Sequence, residues 1–170
     1  IVWTLKHDDM PLPSVSCLND FLWQIVVSLQ INIAQITVAY VILERILCKH
    51  IEMRTLVQPF AIRPFFIGCC VVAIKLTEDT VASLPTLAEC LNEYYPEVTA
   101  TQLYNYECGI LDALDWHVPI DRDEYQAYYT HLVREAQRNA QVNAASQGVP
   151  HTVVPQLIAN NDAITASYPM

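Results

Sequence analysis

A ten-residue apolar run at residues 65–74 contains no charged residue, and it limits how this chain can fold more than any other feature. Pro59 and Pro64 bracket its start, where a helix tolerates proline because the missing N–H would have no partner in the first turn. We predict a helix over about residues 63–77 that is apolar nearly all round, as is typical of the buried centre of a helical bundle. Gly68 inside this helix costs roughly 1 kcal/mol relative to alanine, so it indicates a close helix crossing.

Apolar residues recur at spacings of three and four in other segments, which predicts more helices around the first. We expect them in a segment that Ser16 or Asn19 caps, and at about residues 32–50, 88–93, 102–116 and 123–139, with Thr99 and Asp121 as further caps. The side chains expected to face inward are Phe21, Leu22, Ile25, Val26 and Leu29, then Ile33, Ile36, Tyr40, Leu43 and Leu47, then Leu103, Tyr106, Ile110, Leu111, Leu114 and Trp116, and finally Tyr125, Tyr128, Tyr129, Leu132 and Val133.

Composition supports an all-α globule. Hydrophobic residues make up 53% of the chain and charged residues 16%, so a packed core is expected. Only three glycines are present, and neither Asn-Gly nor Asp-Gly occurs, which argues against an all-β fold. From Asn139 the composition becomes typical of a linker, with Asn, Gln, Ser, Gly and Pro.

The charge distribution limits the classes of partner. The formal net charge of −9 disfavours binding to nucleic acid, because that binding depends on neutralising phosphates. Eleven acidic residues and one basic residue, Arg122, lie between residues 76 and 124. These acids either form solvated helix faces or provide a field that attracts a basic partner surface.

The six cysteines show no CxxC pair and no Cys/His spacing typical of zinc sites, so we expect neither a metal nor a cofactor. Most of them lie in apolar helical runs, where cysteine acts as a small hydrophobe. This pattern predicts a reducing intracellular compartment, the nucleus, the cytoplasm or both. The apolar run is also too short for a membrane span, so no membrane insertion is expected.

Three segments, in this order, resemble the cyclin box: residues 40–47 (YVILERIL), 72–79 (VAIKLTED) and 107–116 (ECGILDALDW). Within that family the pattern is most similar to single-box cyclins of the P and U type, the phosphate-pathway type, and to cyclin Y. Residues 125–129 (YQAYY) add to this likeness. In the family, the arginine at the position of Arg45 often anchors local structure, although a surface role is an equal alternative here.

The resemblance implies an all-α five-helix cyclin-box bundle with an additional N-terminal helix and a C-terminal extension. We therefore expect an extended lead-in and helix at residues 1–30, the box at 31–138 and a linker or tail at 139–170. Only about 50 residues follow Trp116, which is too few for a second box.

By the same resemblance, the chain would be a regulatory subunit that binds and activates a cyclin-dependent kinase, Pho85-like or similar, and would do no chemistry itself. Lys75 and Glu107 would face the kinase and be unpaired within the chain. The other residues carried over to this surface are Val71, Ile74, Glu78, Leu111 and Leu114. Two local alternatives remain: Lys75 could pair with Glu78 or Asp79, and Glu107 could be satisfied inside the bundle.

Two other functional classes stay open at this point. One is a cyclin-fold adaptor, of the kind found in transcription factors, that binds protein or nucleic acid. The other is a hydrolase that uses Glu78 and Asp79. Adjacent carboxylates on a helix point about 100° apart, and the chain contains no GxGxxG, P-loop, HExxH or GxSxG motif. We therefore expect a binding protein and no enzyme.

Overall fold

The computed structural model describes residues 15–50, 59–79 and 82–145, and these residues form six α-helices and no strand. The helices are α1 (Val15–Ser28), α2 (Ile33–Lys49), α3 (Pro59–Thr77), α4 (Leu84–Leu91), α5 (Ala100–Ala113) and α6 (Arg122–Ala145). The all-α prediction is confirmed. The predicted extended lead-in before residue 15 and the tail after residue 145 lie outside the described residues.

Helix α3 is the centre of the bundle. It packs against α2 and α5, while α6 packs on α2, α4 on α5 and α1 on α4. Every residue from 65 to 74 except Phe66 is buried. A Cβ atom added at Gly68 would lie 2.9 Å from Ile110 Cγ1 and 3.2 Å from both Tyr106 Cβ and the Tyr106 carbonyl oxygen. The predicted buried helix and its close crossing are therefore both present, and the crossing partner is α5.

Side-chain caps fix the beginnings of several helices. Asn32 and Gln35 form a capping box at α2, in which each side chain accepts a hydrogen bond from the other residue's backbone N–H at 2.9 Å. Thr99 and Gln102 form the same motif at α5. The Asp121 side chain accepts a backbone hydrogen bond in the first turn of α6. The predicted caps at Thr99 and Asp121 are thus confirmed.

Several predicted beginnings are wrong. Helix α1 begins at Val15, so Ser16 and Asn19 lie inside it and neither is its cap. Helix α4 begins at Leu84, four residues before the predicted start, because Ser83 caps it and a proline is tolerated in its first turn. Helix α3 begins at Pro59, so that Pro64 lies within it.

Two predicted ends are also wrong. Helix α5 ends at Ala113, because Asp115 and Trp116 adopt positive φ angles of 50° and 61° that an α-helix cannot contain. As a result Trp116 is 63% exposed and does not face the core. Helix α6 continues past Asn139 to Ala145, although the composition there resembles a linker.

The buried face of α2 differs from the predicted one. Val38, Ile42 and Ile46 are buried, whereas the stripe predicted at Ile36, Tyr40, Leu43 and Leu47 is only partly buried. Helix α2 has apolar residues on several sides, because it packs against both α3 and α6. Periodicity alone could not decide which apolar face meets the core. In α1, Leu22 is likewise more exposed than expected.

The cysteines also depart from expectation. Cys69 and Cys70 are buried in α3 as predicted, but Cys17, Cys48 and Cys90 are exposed. None of the helices in the described part of the chain combines the length and apolar character needed to cross a membrane.

A candidate partner-binding site around Lys75 and Glu107

Lys75 and Glu107 form an ion pair that joins α3 to α5. The Lys75 Nζ atom lies 2.7 Å from Glu107 Oε1 and 2.6 Å from Oε2. Their side chains are 31% and 13% exposed, so the pair is partly accessible to solvent. The expectation that neither residue is paired within the chain is therefore wrong, and Lys75 does not use Glu78 or Asp79 as its ion-pair partner.

The close crossing of α3 and α5 explains why this pair forms. Gly68 lies seven residues, about two helical turns, before Lys75 and therefore shares a face of α3 with it. Because Gly68 has no side chain, α5 can approach this face closely at Ile110 and Tyr106. Glu107 follows Tyr106 directly, so the same approach brings its carboxylate within reach of Lys75. A helical ion pair is weaker when the lysine precedes the acid by three or four residues, as Lys75 precedes Glu78 and Asp79. Glu107 is therefore the better partner for Lys75.

Glu78 lies just beyond the end of α3 and has a different partner. Its Oε1 atom accepts a hydrogen bond of 2.8 Å from the side-chain amide of Gln35, which is 2% exposed. The side-chain oxygen of Gln35 in turn accepts from the backbone N–H of Asn32, in the capping box of α2. This chain of bonds fixes the end of α3 against the beginning of α2. Although Glu78 lies close to Lys75 in sequence, its carboxylate serves to hold α3 against α2.

Arg45 anchors α6 to α2. Its Nε atom donates to Glu124 Oε1 at 2.9 Å, and one of its terminal nitrogens donates both to Glu124 Oε2 and, at 3.0 Å, to the carbonyl oxygen of Pro119. Planar two-point contacts of this kind are specific to arginine. Of the two alternatives for Arg45, the structure supports the anchoring one.

Three of the four apolar residues assigned to the surface are core residues. Val71 is 0% exposed, Ile74 2% and Leu114 5%, so a partner docked on this face would not touch them. Leu111 is half-buried and packs on the core. The assignment of Val71, Ile74 and Leu114 as contact residues is therefore corrected. Val71 and Ile74 are buried because α3 is enclosed by α2 and α5, and Leu114 belongs to the same core at the end of α5.

Other apolar side chains take that place on the surface. Leu76 is adjacent to Lys75 and 49% exposed, and Tyr104 is one turn before Glu107 and 56% exposed. The Cys108 thiol, on the next turn from Tyr104, raises the pKa of the Tyr104 hydroxyl above its usual range, and the charge of Glu107 contributes less. Sequence analysis missed both residues. The available signal was sequence spacing: Tyr104 lies three residues before Glu107, and residues three apart are neighbours on the surface of a helix.

The described residues contain no group of three or more His, Cys, Asp or Glu side chains that could hold a metal ion. The Glu107 and Glu78 carboxylates are engaged in the contacts given above. What the arrangement offers chemically is a partly exposed ion pair flanked by exposed apolar side chains, and such a surface is suited to binding.

Comparison with known families agrees with this architecture. The family model described as "Cyclin, N-terminal domain" matches residues 5–119, which is more than half of the 170-residue chain. Searches of curated proteins and of solved structures gave no match. The matched range includes both Lys75 and Glu107 and covers α1 to α5. This chain therefore belongs to the cyclin family, to which its N-terminal cyclin domain assigns it.

Proposed function

We propose that this chain is a regulatory subunit that binds and activates a cyclin-dependent kinase, and that the surface around Lys75 and Glu107 is the contact. The observation that carries the proposal is the partly exposed ion pair between α3 and α5 in a chain of the cyclin family. Members of this family act by regulation, and a kinase is their general partner.

The ion pair retains capacity for a partner. An ammonium group has three N–H donors, and two of them are directed at the Glu107 oxygens. The third donor of Lys75, and the remaining lone pairs of the Glu107 carboxylate, can bind the backbone of a docked helix. Because the two side chains already hold each other in place, docking costs less side-chain entropy than it would with two mobile charges.

The flanking apolar side chains supply the drier part of this surface. Leu76 and Tyr104 are two of the large hydrophobic side chains exposed in the described residues. Tyrosine is enriched among residues that dominate binding energy, because it combines a large apolar ring with a polar tip. We therefore assign contact roles to Leu76 and Tyr104 in place of the buried Val71, Ile74 and Leu114.

The finer proposal concerns the class of cyclin. The segments at residues 40–47 and 125–129 are similar to those of P- and U-type cyclins and of cyclin Y. A Pho85-like kinase is accordingly the first partner to test, ahead of cell-cycle kinases.

Binding and melting of Lys75→Ala and Glu107→Ala test the contact. We expect each variant to weaken binding to its kinase by roughly 2 kcal/mol, which is about 30-fold in Kd. Each should also lower the free energy of unfolding by about 1 kcal/mol, because the remaining charge loses its partner. The double variant should lose less than the sum on both measures, since the two side chains form one unit.

The matched control is Lys49→Ala, which removes another ion-paired lysine, the partner of Asp115. It should leave kinase affinity unchanged. The assay uses purified cyclin-dependent kinases, Pho85-like members included, with binding by calorimetry and activity measured on a peptide substrate. Unchanged affinity in both single variants would refute the assignment of this surface, and no binding to any kinase in the panel would refute the proposed function. Tight, salt-resistant binding to duplex DNA would favour the adaptor alternative instead.

A further inference from the structure

A cleft of about 260 Å³ lies between α2 and α6, in a different part of the bundle from the Lys75–Glu107 surface. We name it the tyrosine cleft. Its lining residues are Tyr40, Glu44, Ala127, Tyr128 and His131. None of these five residues contributes to the surface proposed for the kinase.

Two tyrosine rings form the aromatic part of the tyrosine cleft. The rings of Tyr40 and Tyr128 have centroids 5.8 Å apart and meet edge to face, at an interplanar angle of 70°. Glu44 lies one turn after Tyr40 on α2, and His131 lies nearly one turn after Tyr128 on α6. Each helix therefore contributes one aromatic side chain and one polar side chain to the same opening.

Glu44 supplies the negative charge of the tyrosine cleft. Among the described residues, no lysine, arginine or histidine forms an ion pair with Glu44, whereas the nearby Glu124 is paired with Arg45. Burial is the main cause that raises the pKa of Tyr128 to about 12; the hydrogen bond that its hydroxyl donates to the Glu44 carboxylate comes next, followed by the charge of that carboxylate. Burial, followed by the charge of Glu44, raises the pKa of Tyr40. Both hydroxyls therefore stay protonated at neutral pH.

We propose that the tyrosine cleft binds an organic cation, namely the ammonium or guanidinium group of a lysine or arginine side chain on a partner protein. A cation is attracted both to the electron-rich face of an aromatic ring and to an unneutralised carboxylate, and the tyrosine cleft presents these two together. The net charge of −9 raises the local concentration of such groups. One carboxylate and one imidazole are too few ligands for a metal ion, which leaves an organic cation as the fitting class.

Titration of the full chain with three small probes tests the proposal. The probes are blocked lysine, blocked arginine and choline, followed by a five-residue peptide with one central lysine between alanines. Nuclear magnetic resonance shifts report where each binds. We expect saturable shifts centred on Tyr40, Tyr128 and His131. The peptide should bind more tightly than choline if the cation comes from a protein, and choline should bind more tightly if a free quaternary ammonium is the true ligand. Tighter binding of choline than of the peptide would overturn the assignment to a protein side chain.

Two variants and one control separate specific binding from general attraction to an acidic protein. Glu44→Gln should weaken the affinity for blocked lysine about tenfold or more, because it removes the charged partner. Ala127→Leu keeps every charge but fills the tyrosine cleft, and it should weaken binding as well. The control, Glu89→Gln, removes the same charge from an exposed position of α4 and should change the affinity less than twofold.

The same data contain the refuting results. Equal loss of affinity in Glu44→Gln and Glu89→Gln would mean that only net charge matters, and it would overturn the proposal. Full affinity in Ala127→Leu, with its melting temperature preserved, would also overturn it, because the ligand would then not occupy the tyrosine cleft. Because these residues lie apart from Lys75 and Glu107, all three variants should bind the kinase normally, so a failure here leaves the proposed function untouched.

Discussion

Replacing Gly68 with alanine tests the tight crossing that positions Lys75 and Glu107. In an isolated helix this change is stabilising by about 1 kcal/mol, because glycine is the poorer helix former. Here the new Cβ would meet Ile110 Cγ1 at 2.9 Å and the Cβ and carbonyl oxygen of Tyr106 at 3.2 Å. Carbon atoms pack best at about 3.5–4.0 Å, so the helices must separate. Overpacking of this kind costs typically about 1–3 kcal/mol.

The overpacking cost exceeds the helix gain because the Tyr106 atoms belong to, or adjoin, the backbone and cannot turn away. We expect Gly68→Ala to be less stable by about 1 kcal/mol, which for a chain of this size lowers Tm by about 3 °C. The assay is thermal and urea unfolding followed by circular dichroism. In an Ile110→Ala background, which removes the closest contact, the same change should cost measurably less, and the double-mutant cycle gives the coupling. A gain of about 1 kcal/mol for Gly68→Ala alone would refute the crossing.

Two further predictions concern the rest of the bundle. Arg45→Ala should lower the free energy of unfolding by about 1–2 kcal/mol, because it leaves the half-buried Glu124 carboxylate without its two-point partner; a loss below about 0.3 kcal/mol in urea unfolding would contradict the anchoring role. Burial raises the pKa of the Cys69 and Cys70 thiols, so a thiol reagent at pH 8 should label exposed Cys90 quickly and those two only after unfolding. Labelling of either buried thiol in the folded chain, read by mass spectrometry, would contradict this prediction.

Local sequence determined a large part of the fold. The uncharged run at residues 65–74 is too apolar to lie on a surface, so it had to become the buried α3. Capping is equally local, because the Thr99 and Asp121 side chains each accept a hydrogen bond from a backbone N–H three residues away. For the same reason the all-α class and the six helices of the described residues could be predicted without tertiary information. Gly68 indicated that some helix would cross closely.

Helix ends and faces needed more than local pattern. Residues after Ala113 have a helical pattern, yet Asp115 and Trp116 turn into the left-handed region and end α5. Helix α2 has apolar residues on several sides, and only its contacts with both α3 and α6 decide that Val38 and Ile42 meet the core. A periodicity argument assumes one buried face, and that assumption fails for a helix with two neighbours.

The candidate site shows the same division. The sequence singled out Lys75 and Glu107 through its resemblance to the cyclin box, which implies that these two positions face the kinase. Their separation of 32 positions in the sequence leaves their distance in space undetermined, and only the crossing of α3 and α5 brings the two groups to 2.6 Å. Which apolar residues are buried was likewise determined by tertiary packing. Val71 and Leu76 are both apolar residues near Lys75, but the packing of α5 and α2 covers Val71 and leaves Leu76 on the surface.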